Sequence, residues 1–119
     1  MPLELIASLI SICRTAIEAG RGLKAIANDQ LSDREREILI AGASGGLYQI
    51  IRAESVPLLF CNSSSRSFSD NDPATAAHYL EAFRKLCHRG YVVPCDSELF
   101  QLSGTGFDVA RELAADSNA

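Results

Sequence analysis

The sequence predicts an α+β fold, and three observations predict it. At 119 residues, with 47% hydrophobic and 22% charged side chains, the chain is long enough for one packed core and too short for two. Helical periodicity recurs in four segments. Between them lie two pairs of short apolar runs bounded by turn formers, the pattern of antiparallel hairpins. The expected order is α-α-β-β-α-β-β-α, with small antiparallel strands.

The first helix is expected over residues 3–27. Leu3, Ile6, Ile10, Cys13 and Ile17 recur at a 3,4,3,4 spacing, and Leu5, Leu9, Ile12 and Ala16 widen the stripe. Gly20 and Gly22 kink or end it. So wide an apolar face either crosses the body of the domain or packs on a second copy. A second helix is expected over 32–44. Ser32-Asp33-Arg34-Glu35 fits a capping box, in which serine and glutamate satisfy each other's orphan amides. Ile38, Leu39 and Ile40 supply its buried side, and Gly42, Gly45 and Gly46 stop it.

Leu47–Arg52 and Pro57–Cys61 read as strands joined through Ala53-Glu54-Ser55. The serine-rich stretch from Ser63 to Asp72 reads as a loop. Asp72-Pro73 starts the third helix, with aspartate as cap and proline in the first turn. It runs to about Arg89 and ends at Gly90, burying Ala76, Leu80, Phe83 and Cys87. Tyr91-Val92-Val93 and Leu99–Leu102 make a second hairpin around residues 94–98. Ser103 caps a last helix over 104–115, with Phe107, Val109, Ala110 and Leu113 turned inward.

Charge and cysteine usage narrow the function classes. Eleven basic and fifteen acidic side chains give a formal charge of −4, spread thinly, unlike a strongly basic nucleic-acid protein. The longest apolar stretch is interrupted by Glu4 and Arg14, whereas a membrane span needs roughly 20 apolar residues. The first positive charge is Arg14, which does not suit a secretory signal. The expected location is the cytoplasm. Cys13, Cys61, Cys87 and Cys95 form no C-x-x-C pair and read as small buried thiols. In that compartment the sequon Asn62-Ser63-Ser64 carries no sugar.

Tests for chemistry return structural readings. Gly42-Ala43-Ser44-Gly45-Gly46 matches G-x-S-x-G, but it follows a helix and precedes a strand, the reverse of a nucleophile elbow. Cys61, His78, Cys87, His88 and Cys95 lack the tight paired spacing of a zinc site. His78 and Glu81 share a helical face, where a solvated pair is the simpler reading than an acid–base couple. No phosphate-binding or dinucleotide loop is present. The expectation is a protein that is not an enzyme and uses neither cofactor nor metal.

The run from Ala74 to Ala114 resembles the C-terminal half of a winged-helix domain. The residues that carry the resemblance are Leu86, Gly90, Tyr91-Val92, Phe100, the step Leu102-Ser103-Gly104-Thr105-Gly106, then Phe107 and Ala110. In such domains a helix ends at a glycine, enters a two-stranded wing, and leaves it through a leucine-serine/threonine-x-x-glycine step into a final helix. The layout also looks like small bacterial proteins of unassigned role with a winged-helix-like core. The resemblance implies a winged-helix-like domain over 32–119, with residues 1–31 as an added N-terminal helix for packing or oligomerisation. It departs from DNA-reading members, which place a short helix just before the recognition helix; here a hairpin and a serine-rich loop stand in that place. Asp70 and Asp72 also sit at the entrance to the helix that would have to meet phosphates.

Two functions follow as expectations. The first is a non-enzymatic interaction module that forms a homodimer or binds a protein partner through Leu3, Ile6, Leu9, Ile10, Cys13 and Ile17. The second is a DNA-binding regulator, disfavoured by charge, that would use Thr75, His78, Arg84, Lys85, His88 and Arg89 with the wing at 95–98. The polar side of the first helix, with Glu4, Ser8, Ser11 and Glu18, does not suit a membrane surface.

Overall fold

A computed structural model of the chain describes residues 3–20, 31–53, 56–69, 72–95 and 99–117. Its elements are α1 (Leu3–Glu18), α2 (Asp33–Ala41), β1 (Leu47–Ala53), β2 (Val56–Cys61), β3 (Arg66–Phe68), α3 (Pro73–His88), β4 (Val92–Pro94), β5 (Leu99–Leu102) and α4 (Gly104–Ser117). The fold is α+β, with helices packed against an antiparallel sheet.

The local signals at the helix ends act as the sequence reads. Ser32 and Glu35 close the capping box in both directions, each backbone N–H donating to the other's side chain at 3.2 Å. The Asp72 carboxylate accepts from the N–H of Thr75 at 3.1 Å and so caps α3 behind Pro73. Gly90, at φ +79°, turns the chain out of α3 in a conformation that side chains avoid. The first helix is shorter than its periodicity suggests. α1 stops at Glu18, and Gly20 closes it at φ +75° with its N–H donating to the Ile17 carbonyl at 3.0 Å. The remainder of the expected helix, residues 21–27, lies outside the described residues.

The strands do not stay in two separate hairpins. They join in one sheet of order β3-β2-β1-β5-β4. The expected hairpins β1–β2 and β4–β5 are both present, and β1 pairs with β5 between them, Tyr48 opposite Phe100. The serine-rich stretch is not all loop. Arg66–Phe68 forms β3 against β2, with Phe68 opposite Leu59, because Phe68 is buried at 1% exposure in the core.

α3 is the element on which the core converges. Its Phe83 ring meets Tyr48 of β1 and Phe100 of β5, each at 5.5 Å between centroids, and its Tyr79 ring meets Phe68 of β3 at 5.1 Å. Such tilted and edge-on pairs add to the burial of the rings. The inward residues of the sheet, Tyr48, Ile50, Leu59, Cys61, Phe68, Val92, Phe100 and Leu102, belong to one cluster with residues from all four helices. α1 supplies Ile6, Leu9 and Cys13 to that cluster.

Two close approaches tie the outer helices to the sheet. The buried Tyr48 hydroxyl donates to the Ile38 carbonyl at 2.6 Å, and burial drives its phenol far above the ordinary range, so it remains a donor. A side chain on Gly42, the residue that ends α2, would collide with that hydroxyl. At the other end, a side chain on Gly106 would collide with the Tyr91 carbonyl.

Replacing Tyr48 with phenylalanine removes the tie between β1 and α2 while keeping the ring. The expected loss is about 1 kcal/mol, read as a lower urea midpoint with an unchanged slope. Unaltered stability would contradict a working bond at that place.

Candidate functional site

The expected interaction line on α1 lies in the interior. Ile6, Leu9 and Cys13 are buried at 4%, 1% and 0%, packed in the core that α3 and the sheet share. Ile10 is half-buried against that core, while Ile17 is 47% exposed. At 100° per residue, Ile10 and Ile17 fall together on one flank of the buried stripe. The side chain of Leu3 lies outside what is described. The helix is therefore held by its own chain along most of the stripe, and the surface left for a partner is the Ile10–Ile17 edge.

The candidate nucleic-acid residues separate into two groups. His78, Arg84, Lys85 and His88 are exposed on the open side of α3, together with Ala74, Ala77 and Glu81. Thr75 and Arg89 are engaged elsewhere. The Thr75 hydroxyl donates to the Asp72 carboxylate at 2.8 Å, and its bonds hold that carboxyl below the usual range. Arg89 leaves the open face altogether, its Nε donating to Glu35 Oε2 at 2.8 Å. Along α3 the two cations Arg84 and Lys85 face the two anions Asp72 and Glu81, so the face has a basic end and no net positive field. Within the expected wing at 95–98, Cys95 is described and exposed; residues 96–98 lie outside the described residues.

The strongest polar constellation was not among the expected sites. Glu35 is the buried charged residue of the described chain, at 1% exposure. One of its oxygens completes the Ser32 cap and the other holds Arg89. Two residues on, Glu37 Oε2 accepts from the Tyr79 hydroxyl at 2.6 Å and from Arg66 at 3.0 Å. Arg66 also lies over the Phe68 ring at 4.5 Å, and Arg34 over the Tyr79 ring at 5.7 Å. The N-terminal turns of α2 are thereby fastened to α3 and β3. The capping motif marks Glu35 in the sequence, but its second bond spans 54 positions and leaves no local signal.

Three of the four thiols behave as small core groups, and one does not. Cys13, Cys61 and Cys87 are buried and Cys95 is exposed, which corrects the expectation for the last. Cys13 and Cys87 share a hydrogen bond across the α1–α3 contact. That bond holds the Cys13 thiol below its ordinary range, and with burial it pushes Cys87 well above. Among the described residues, the cysteines, histidines and acids do not gather into a group of three that holds a metal ion. Asn62 of the sequon sits in the β2–β3 turn with its Oδ1 buried. Among the described residues no helix is long and apolar enough to cross a membrane.

The chain matches no family model, no curated protein and no solved structure.

Glu35→Ala leaves Arg89 without its carboxylate and Ser32 without its reciprocal bond. Because the glutamate side chain is 2% exposed, the expected loss is about 3 kcal/mol, measured by chemical denaturation. A loss typical of a surface ion pair, below about 1 kcal/mol, would show that the pair is not a clamp. A thiol reagent added to the native protein is expected to label Cys95 quickly and to reach Cys13, Cys61 and Cys87 only as the fold opens. Fast labelling at Cys13 would contradict the packing of α1 on α3.

Proposed function

We propose that this protein is a non-enzymatic macromolecular interaction module, winged-helix-like in build and self-associating. The observation that carries the reading is the use made of the buried carboxylate among the described residues. Glu35 is committed to a helix cap and to Arg89, a structural task that joins two helices rather than one that moves a proton.

The winged-helix-like reading draws support from the tasks of the residues that suggested it. Gly90 turns the chain out of α3 toward the β4–β5 hairpin. Ser103 then binds the two ends of that hairpin region together: its hydroxyl donates to the Gly90 carbonyl at 2.9 Å and accepts from the Gly106 N–H at 3.1 Å. The close approach of Gly106 to Tyr91 is the reason for a glycine at the last place of the step.

A DNA-binding regulator is the second reading, favoured by one observation: Arg84, Lys85 and His88 are exposed together at the end of α3. Against it, β1, β2 and β3 occupy the chain between α2 and α3, where a DNA-reading winged helix carries its short positioning helix. Arg89 is also withdrawn into its bond with Glu35.

Sedimentation velocity over a wide concentration range is expected to show a monomer–dimer equilibrium; a monomer at every concentration would remove self-association. A labelled DNA duplex at low salt is expected to give no anisotropy change. Binding that weakens with salt and with Arg84→Ala and Lys85→Ala would transfer the assignment to the second reading.

A further inference from the structure

All four helices contribute to the core on the inner face of the sheet. The opposite face has its own pattern. Directly paired residues on neighbouring antiparallel strands share a face, and each strand alternates. Three of the rows that the register places on the outer face are Ile51 with Leu58; Ser67, Phe60, Gln49 and Leu99; and Leu47, Gln101 and Val93. Six of these nine are apolar. None belongs to the core cluster or to the apolar residues packed against it. Apart from buried Leu58 and exposed Ser67, they are half-buried.

We propose that this outer face is the contact between two copies of the chain. The proposal rests on the self-association reading above and names its surface. Charge selects the occupant. These nine positions include no charged residue, in a chain that carries 22% charged residues and a net charge of −4. A nucleic acid or an anionic membrane finds no cation there to grip. Two copies of a −4 chain repel one another least where neither presents a charge.

The polar residues on the face are self-complementary as well. Gln49, Gln101 and Ser67 each carry both donor and acceptor atoms, so a face built from them satisfies its own duplicate in a two-fold arrangement, which lysine or glutamate would not. The α1 stripe offers less, because Ile6, Leu9 and Cys13 are already covered by the rest of the chain and only the narrow Ile10–Ile17 edge is left.

Area sets the strength of the contact. With strands about 4.8 Å apart and one outward residue about every 6.8 Å, nine positions cover roughly 300 Å². A stable dimer buries about 800 Å² per partner. The contact is therefore weak and concentration-dependent, and the dimer dissociates readily on dilution.

The test is sedimentation of the full chain beside Phe60→Thr/Leu99→Thr, a pair of changes that removes the apolar side chains while introducing strand-favouring β-branched ones. The expected result is a wild-type dimer whose dissociation constant rises about tenfold or more in the variant. Circular dichroism of the variant checks that it folds. Hydroxyl-radical footprinting of the wild type provides a readout that needs no substitution: Phe60 and Leu99 are expected to gain protection as concentration rises, with His78 and Lys85 on α3 unchanged. A dimer that persists unchanged in the variant, or protection confined to α1, would overturn the outer face as the contact and leave self-association standing. A wild type that stays monomeric at every concentration would overturn both.

Discussion

The structure depends on a buried carboxylate. Glu35 sits in the first turn of α2 at almost no exposure, and taking a charge out of water is costly unless its oxygens are fully engaged. Both oxygens are engaged, one by the Ser32 N–H and one by Arg89. The requirement that they stay engaged sets the position of the start of α2 against the end of α3. Glu37 repeats the constraint one half-turn further along, through Tyr79 and Arg66. With α2 and α3 set in this way, the Phe83 ring faces the Tyr48–Phe100 pair and the sheet acquires its inner surface. The same arrangement removes Arg89 from the exposed face of α3, so an interaction that builds the fold also lowers the charge available to an anionic partner.

Much of this is readable from residues a few places apart. The capping box at Ser32, the Asp72-Pro73 start, the exit at Gly90 and the short apolar runs of β1 and β2 are local signals, and each corresponds to an element end or a strand. The failures have a common physical source, which is pairing at long range. Nothing near Leu47 indicates that β1 will accept β5 as well as β2. Phe68 looks like part of a polar loop until Leu59 and Tyr79 are placed around it. The apolar stripe of α1 is legible, but periodicity does not distinguish a face buried by its own chain from one kept for another. Cys95 differs from the other three thiols only in where the β4–β5 hairpin carries it.

The candidate surfaces divide in the same way. His78, Arg84, Lys85 and His88 were legible as one side of a helix, because the inward residues of α3 define the outward ones. The outer sheet face was not legible, because its residues come from five strands and become neighbours only through the register. Its apolar members, Leu47, Ile51, Leu58, Phe60, Val93 and Leu99, look in the sequence like ordinary core residues of short strands. Only the topology shows that they stand on the opposite side from every helix in the core cluster.

The central position of β1 also has a kinetic consequence. β2 follows β1 within a few residues of chain, so their pairing is a local contact that closes early. Its other neighbour, β5, brings Tyr48 opposite Phe100, and the chain between them includes β2, β3, α3 and β4. Closing so long a loop costs chain entropy before any contact repays it. Long-range pairings of this kind slow folding relative to helical bundles of similar size. The β1–β2 pairing closes over a few residues, whereas the sheet is complete only once β5 has come in from beyond β2, β3, α3 and β4.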